Sequence, residues 1–599
     1  MPKIAYLNSA NQNLQSSPDL YTTLDTTMTE IRVLYIDPTD RQESEIQAHL
    51  STISLGDTPC VHYTALSYVW GDQSVTVDIK IDDHTVKVTT NLADALRSLR
   101  RCSHQVPQST SPAGRAVGRP GPFWIDALCI NQSNSSERSH QVHMMGTIYA
   151  SANVVISWLG ELMPKYVAGV DALAKIHAAF AGAQGSGDFD WIDWLSQDHQ
   201  TALWQWDTKT RQANKTWTSI AKILNHPYWR RIWIIQEVAM SKSAIIKFGD
   251  TTLPFNTLDS FHELCKAVNK CMLADMSSLL HMYAQIKRLG VRVSLLPRLL
   301  ATRQRMQEGG TYSLPHILTH SYDSIATDPW DKIYGLLGMT TSCIRANYSS
   351  SLLSVYRELA ITLNETDGVI VTSPLDFLLY AGIKHTKSLD SWPSRVPHWS
   401  ADQHKISGVP NKIFMEAPFG PVSDYIQLFD RQPFRARENS LYVKGTLDDS
   451  VVATNSLSVG KTFGDAKCDL LRLMKEHLEL HGEDSLLPLL KCLLWTDYHD
   501  NTQSVWNAFV DIYGEISSTA QTRGIEVPAA LSKAVQRGVA GKGAFIDFTF
   551  FWGHQMWQRC VCYTSRGYFV ATAASDTQIG DNVSLVPGCS WAVLLRPVE

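Results

Sequence analysis

The chain has 599 residues and a mass of 67.0 kDa, more than a single hydrophobic core usually supports, so two or three domains are expected. Hydrophobic residues make up 44% of the chain and charged residues 19%, and 18 tryptophans favour large aromatic cores, which excludes wholesale disorder. The formal charge of -5, without long runs of like charge, argues against a nucleic-acid partner.

Membrane and metal signals are absent from the sequence pattern. No segment approaches the roughly 18 apolar residues of a membrane-spanning helix, and the first residues lack the features of a targeting sequence. The 11 cysteines are scattered without a CxxC pair, which predicts reduced thiols. We therefore predict a cytoplasmic protein with no membrane span, no metal site and no cofactor.

The first 250 residues alternate strand-like and helix-like patterns, which predicts an α/β domain on a mostly parallel sheet. The segment 103–122 is rich in Pro, Gly and Ser and predicts a loop insertion within this domain. The expected strands are 31–36, 64–71, 123–130, 153–160 and 244–249. The expected helices are 92–101, 137–150, 167–181, 217–225 and 228–240.

Two further regions follow the α/β domain, which we place at 20–250. Residues 251–437 are predicted to be mainly helical, and residues 438–599 to form a mixed α+β region. The segment 455–462 ends like a phosphate-binding loop but lacks its first glycine, so nucleotide binding there is not expected.

Asp126 lies inside an apolar run that reads as a buried strand. Strand alternation places it on one face with Trp124 and Leu128, and parallel strands are covered on both faces. A buried carboxylate needs a cationic or hydrogen-bonding partner. Asp126 is therefore either a structural tie or a group with a ligand-binding or acid–base role.

Polar residues and a tryptophan stand where two predicted strands end, at the edge where open α/β sheets bind ligands. Trp70, Gly71 and Asp72 follow one strand, and Asn131 and Gln132 follow another. If the two strands are neighbours, these ligand-binding candidates share one crevice. The alternative is that these residues stabilise only their own loops, the polar ones through capping hydrogen bonds and the tryptophan through packing.

Glu237 is a carboxylate on a predicted helix, 228–240, that is apolar around almost its whole circumference. It follows Trp233 by four residues, so its pKa should rise toward neutrality unless an arginine is close. Arg230, also a ligand-binding candidate, or an arginine that serves Asp126 could supply that charge. A salt bridge and a catalytic role both remain open.

Four segments together resemble the successive motifs of the fungal heterokaryon incompatibility (HET) domain, in the same order and spacing. The core motifs span 63–240, and 326–339 resembles a stretch that accompanies this domain in long HET proteins, although Trp330 stands where the family usually has Arg. The motifs are YTALSYVWGD (63–72), FWIDALCINQ (123–132), ERSHQVHMMGTIYASANVVISWLG (137–160) and YWRRIWIIQEV (228–238).

The resemblance implies an effector or regulator of non-self recognition and programmed cell death, on a Rossmann-like or TIR-like sheet. By analogy with TIR domains that hydrolyse NAD, Glu237 or Asp126 would be catalytic, with NAD as the substrate. Trp70 would stack on a ring of the substrate, and Asn131 or Gln132 would orient its ribose hydroxyls.

Two other functions are compatible with the same residues. The domain could work by self-association or by binding a protein partner, with the later regions controlling it, since no complete catalytic motif is present. The chain could also have lost killing, as the departure at Trp330 and an altered C-terminal motif allow.

Overall fold

The computed structural model separates the chain into two compact units, Met1–Val355 and Tyr356–Glu599, and each is described by itself. The structure describes residues 20–39, 45–57, 61–102, 122–183, 190–191, 194, 215–273, 295–321, 324–365, 434–437, 440–443, 446–456, 463–493, 502–538, 559–565, 569–574, 577–585 and 593–595. The predicted loop insertion and the candidate phosphate loop fall almost entirely outside these ranges.

The first unit is built on a nine-stranded sheet with the order β5-β4-β2-β1-β6-β3-β7-β8-β9. Its strands are β1 (Glu30–Ile36), β2 (Gln47–Ser54), β3 (Thr64–Tyr68), β4 (Thr76–Ile81), β5 (His84–Thr89), β6 (Phe123–Trp124), β7 (Val154–Trp158), β8 (Ala244–Phe248) and β9 (Thr251–Pro254).

The α/β class is confirmed, but the prediction of a mostly parallel sheet is wrong, because the sheet is mixed. Among the strands that the structure describes, β6, β3, β7 and β8 form a continuous parallel group, and β2 pairs with β4 in parallel. Three hairpin-like pairs, β1–β2, β4–β5 and β8–β9, add antiparallel neighbours, and β1 joins β6 antiparallel. Short connections join only antiparallel strands, which is why these additions change the sheet type.

Helices connect and cover these strands. In the first unit they are α1 (Thr90–Cys102), α2 (Asp126–Cys129), α3 (Ser135–Ser151), α4 (Pro164–Ala183), α5 (Lys215–Leu224), α6 (Trp233–Ala239), α7 (Thr257–Leu273), α8 (Leu295–Gln307), α9 (Leu314–His320) and α10 (Asp331–Tyr334). Helix α11 (Leu352–Glu365) crosses the boundary between the units. Four residues of the five-residue strand β3 are buried, as are Trp124, Trp158 and Trp217, so the parallel group forms the core.

Two predicted elements are divided in the structure. The strand expected at 123–130 ends at Trp124, and Asp126 begins the short helix α2. The helix expected at 228–240 is a 3₁₀ turn, Pro227–Arg230, followed by α6 after an extended Arg231. Arg231 is extended because it pairs as a parallel bridge with Ile325, a long-range contact that local periodicity does not encode.

The second unit contains a five-stranded antiparallel sheet of order β14-β13-β12-β15-β16 and a two-stranded pair, β10–β11. The strands are β10 (Phe434–Arg437), β11 (Ser440–Val443), β12 (Thr446–Ser456), β13 (Arg559–Thr564), β14 (Phe569–Ala574), β15 (Asn582–Leu585) and β16 (Val593–Leu595). Its further helices are α12 (Phe463–His481), α13 (Leu486–Leu493), α14 (Thr502–Thr522) and α15 (Ala529–Ala534), which share one apolar core.

Across the described part of the chain, every helix is too short or too polar to cross a bilayer. The same residues bring together no group of three or more His, Cys, Asp or Glu side chains suited to a metal ion.

Candidate functional site

The candidate site is a crevice where β3 and β6 end. These strands are parallel neighbours, with Thr64 opposite Phe123 and Ala65 opposite Trp124, so the loops that follow them leave the sheet side by side. The indole nitrogen Nε1 of Trp70 donates a hydrogen bond to Asp126 Oδ2 at 2.9 Å. The structure thus brings the two predicted groups together at the carboxyl edge of the sheet.

Asp126 is the half-buried carboxylate of this crevice. As the first residue of α2, it also accepts a hydrogen bond from the backbone N–H of Ala127 at Oδ1, 2.7 Å away. Burial raises the pKa of Asp126, while the Arg231 guanidinium and the hydrogen bond from Trp70 lower it. Both oxygens of the carboxyl group are therefore held by protein donors.

The cleft beside this pair is narrow. It is lined by aromatic and aliphatic groups with a few polar ones, and its volume is about 30 Å³, enough for one or two water molecules. Sites that enclose a small-molecule ligand are roughly ten times larger or more. In this conformation the cleft does not enclose a nucleotide. Its lining includes Tyr68, Trp70, Lys87, Val88, Leu92 and Leu128.

The other predicted crevice residues shape the two loops. Gly71 has a φ of 79°, a left-handed conformation that favours glycine. Asp72 is exposed and accepts hydrogen bonds from the backbone and hydroxyl of Ser74, which lower its pKa. Asn131 Oδ1 likewise accepts from Ser133 N and Oγ. These contacts match the loop-capping alternative.

Gln132 and Asp126 are tied through the backbone. Gln132 Nε2 donates to the Asp126 carbonyl oxygen at 2.9 Å, which closes the loop after α2. The Gln132 side chain therefore supports the position of Asp126 rather than projecting freely into the crevice.

Glu237 lies deeper, with only 1% of its surface exposed, and it does not line the cleft. Ser67, in the middle of β3, donates a hydrogen bond to Glu237 Oε2. Ser67 Oγ lies 2.6 Å from the Tyr228 hydroxyl, which lies 2.8 Å from Ser157 Oγ. Ser67 and Ser157 are directly opposed on β3 and β7, so a chain of hydroxyls links both strands to the carboxylate.

The charge of Glu237 is only loosely compensated. Burial raises its pKa to about 7, while Arg231 and the hydrogen bond from Ser67 lower it. Arg231 Nη1 is 3.8 Å from Glu237 Oε2 and, although buried, makes no hydrogen bond with the residues that the structure describes. Because Arg231 also lowers the pKa of Asp126, one guanidinium serves both carboxylates.

The two arginines proposed for Glu237 are thereby distinguished. Arg230 ends the 3₁₀ turn, and its carbonyl oxygen accepts a hydrogen bond from the backbone of Ile325 at 2.5 Å. The ion pair found with Glu237 is made by Arg231, which is also the arginine near Asp126.

Sequence reasoning missed a second buried ion pair. Arg32, 1% exposed in the middle of β1, binds both carboxylate oxygens of Glu137, at 2.6 and 3.0 Å. Its guanidinium also donates to the Cys129 and Thr22 carbonyl oxygens. The available signal was an arginine within the apolar strand IRVLYI, since a buried cation requires a partner.

A third cluster of charged and polar side chains surrounds Asp331, next to Trp330, which stands where the HET family usually has Arg. Asp331 accepts hydrogen bonds from Trp233 Nε1 at 2.9 Å and from the Tyr348 hydroxyl at 2.7 Å. Burial and the nearby Asp328 together raise the pKa of Asp331 to about 7, although the hydrogen bonds from Tyr348 and Trp233 lower it. The cation facing Asp328 comes from α3, where Arg138 lies 3.6 Å away.

Comparison with known proteins finds a match within the first unit. Residues 63–237 match the family model for heterokaryon incompatibility protein (HET), so this segment is similar to a HET domain. A similar protein is "Heterokaryon incompatibility protein 6, OR allele" from Neurospora crassa, which is 26% identical over 437 residues. The alignment covers 66% of this chain and 62% of that relative. No solved structure matches the chain.

Proposed function

We propose that the chain acts in heterokaryon incompatibility in the cytoplasm of a fungal cell, as an effector or regulator of non-self recognition and programmed cell death. The match to the HET family over 63–237 and the name of the Neurospora relative support this. The alignment with that relative spans 437 residues and so extends beyond the domain.

The crevice between β3 and β6 is, in this proposal, where the domain binds its partner or a second copy of itself. The observation that carries this is the Trp70–Asp126 hydrogen bond at the carboxyl ends of two neighbouring parallel strands. An indole beside a half-buried carboxylate presents both an apolar face and an acceptor, as protein-binding surfaces do. The narrow cleft favours surface contact over enclosure of a small ligand.

NAD hydrolysis is the second candidate, and a specific observation favours it. Glu237 has a pKa of about 7, and Asp126 shares its arginine, so two carboxylates differ in environment as acid–base pairs do. In the parallel order β6-β3-β7-β8 the chain winds from β3 to β6 on one side and then to β7 and β8 on the other, so a topological switch point lies between β3 and β7. This arrangement, which doubly wound sheets share, supports a nucleotide-binding ancestry. Against it stands the burial of Glu237, because this carboxyl would need the site to open before it could contact a substrate.

The test expresses the full chain inducibly in fungal cells, because the compact unit extends to Val355, well beyond the HET match. Asp126→Asn and Glu237→Gln keep side-chain shape and remove charge. Asp83→Asn changes an exposed hairpin carboxylate and is the matched control. Viability, the NAD pool and the oligomeric state are followed together.

We expect the wild type and Asp83→Asn to kill without loss of NAD, and Asp126→Asn to reduce killing at least tenfold. Loss of NAD that disappears in both Glu237→Gln and Asp126→Asn would instead establish the hydrolase. Absence of killing by the wild type under all conditions would contradict the incompatibility role.

A further inference from the structure

The segment Ser324–Tyr348 lies outside the matched HET region but packs against two helices of that region, α3 and α6. The backbones of the segment and of α3 lie very close together, because a Cβ added to Gly146 on α3 would lie only 2.9 Å from Gly338 Cα. A Cβ added to Gly338 would lie 2.5 Å from Gln236 Oε1 on α6. Both glycines are therefore required where segment and helices meet.

The start of this segment holds the backbone on both sides of Arg231. Ile325 N donates to the Arg230 carbonyl oxygen at 2.5 Å, and Ile232 N donates to the Ile325 carbonyl oxygen at 2.9 Å. Together these bonds form the parallel bridge between Ile325 and Arg231. They fix the extended conformation that separates the 3₁₀ turn from α6.

The rest of the segment makes hydrogen bonds with two side chains of α6. Asp331 accepts the indole hydrogen of Trp233, and Gly338 N donates to Gln236 Oε1 at 2.9 Å. The Tyr348 hydroxyl also donates a hydrogen bond to Asp331. The Arg138 guanidinium of α3 lies 3.6 Å from the centre of the Tyr348 ring. The residue after Gln236 is Glu237, so these contacts also set the position of that carboxylate.

Arg231 is not fixed by its own side chain. Its guanidinium is 3.8 Å from Glu237, and its buried Nη1 makes no hydrogen bond to any residue described. Its place between the carboxylates of Glu237 and Asp126 therefore depends on its backbone. We propose that Ser324–Tyr348 is a clamp that positions Arg231, and that undocking the clamp loosens the crevice at Asp126. The inference rests on the crevice proposed above as the functional site.

The experiment compares Ile325→Pro with Ile325→Ala in the full chain. The Ile325 side chain is 47% exposed, so alanine removes little packing and keeps the N–H, whereas proline removes the donor to Arg230. Hydrogen–deuterium exchange is measured by mass spectrometry on peptides covering 324–348, 228–240, 126–132 and the strand 31–36.

Relative to Ile325→Ala, Ile325→Pro is expected to raise exchange at least tenfold in 228–240 and 126–132 while 31–36 is unchanged. Changes confined to 324–348, or equal exchange in both variants, would overturn the clamp. If Ile325→Pro does not fold, Gly338→Ala tests the same coupling against Gly182→Ala, where an added Cβ meets nothing within 4 Å.

The clamp and the proposed function can fail separately. Tenfold faster exchange at 126–132 with no change in killing by any variant would leave the clamp standing and contradict the functional role of the crevice. Killing lost in Asp126→Asn, with exchange at 126–132 unaffected by the clamp variants, would leave the crevice standing and overturn the clamp.

Discussion

Two buried arginine–glutamate pairs in the first unit have opposite characters. Arg32 and Glu137 meet through two contacts, at 2.6 and 3.0 Å, and both terminal nitrogens of Arg32 also donate to backbone carbonyls, while its Nε makes no hydrogen bond among the described residues. Arg231 and Glu237 meet at 3.8 Å, and the closest nitrogen makes no hydrogen bond among the described residues.

The difference separates a structural pair from an adjustable one. A guanidinium held by a bidentate ion pair and by two backbone carbonyls has one favourable position, so Arg32 joins β1 to the start of α3 and the loop before it. Arg231 is divided between Glu237 and Asp126 and satisfies neither completely. The second pair therefore responds to small changes in protonation or backbone position, whereas the first resists them.

The largest expected effect comes from breaking the structural pair. Arg32→Ala leaves the Glu137 carboxylate and the Cys129 carbonyl without their buried donor, and should lower the free energy of unfolding by about 3–5 kcal/mol. Urea unfolding followed by circular dichroism measures this. Arg97→Ala, which breaks a partly exposed i,i+3 pair, should cost under about 1 kcal/mol. Equal effects of the two substitutions would remove the distinction.

Titration of Glu237 sharpens the comparison. Its pKa is raised from 4.5 to about 7, so the folded state keeps a proton that the unfolded state loses above pH 4.5. Stability from this group is therefore complete below pH 4.5 and falls by about 1.4 kcal/mol per pH unit until about pH 7. Glu237→Gln should flatten the measured stability–pH profile in that window.

Glu263→Gln is the control for this titration, because Glu263 is paired at the surface with Lys266. The control should keep the wild-type slope. A profile that is unchanged in Glu237→Gln would mean that Glu237 is ionised throughout and that the pair is as tight as Arg32–Glu137.

Removing the adjustable arginine should have a smaller effect than removing Arg32. In Arg231→Met, Glu237 can escape an unpaired charge by keeping its proton, so we expect a loss of about 2 kcal/mol at pH 8.5 and less at pH 5.5. Thermal unfolding at the two pH values measures it. A loss independent of pH would show that Arg231 acts through packing alone.

The fold was predictable where local patterns dominate. Strands such as β1, β7 and β8 and helix α3 lie where periodicity expects them. The sheet type was not predictable from local patterns, because antiparallel pairings such as β1 with β6 join strands that are far apart in the sequence. The division of 228–240 likewise depends on Ile325, nearly 100 residues later in the chain.

The candidate site was predictable in part. The sequence predicted that residues 70–72 and 131–132 would share a crevice if their strands were neighbours, and β3 and β6 are neighbours. It placed Asp126 inside the second strand, whereas in the structure Asp126 begins α2 and accepts a hydrogen bond from Trp70. The chemistry around Glu237 also predicted a raised pKa. Which arginine approaches it was left open between Arg230 and an arginine that serves Asp126, because the extended backbone at Arg231 depends on the long-range bridge to Ile325. The roles of these residues in ligand binding or catalysis remain predictions.

The row of hydroxyls from Glu237 through Ser67 and Tyr228 to Ser157 has a further consequence. Each hydroxyl has one hydrogen to give, so the direction of every bond depends on its neighbour. When Glu237 is ionised, Ser67 donates to it. When Glu237 is protonated, it donates to Ser67, whose own hydrogen turns to the Tyr228 hydroxyl, and Tyr228 donates on to Ser157. Binding of one proton to Glu237 therefore changes the direction of hydrogen bonds in a row that spans two adjacent strands, without any heavy atom having to move.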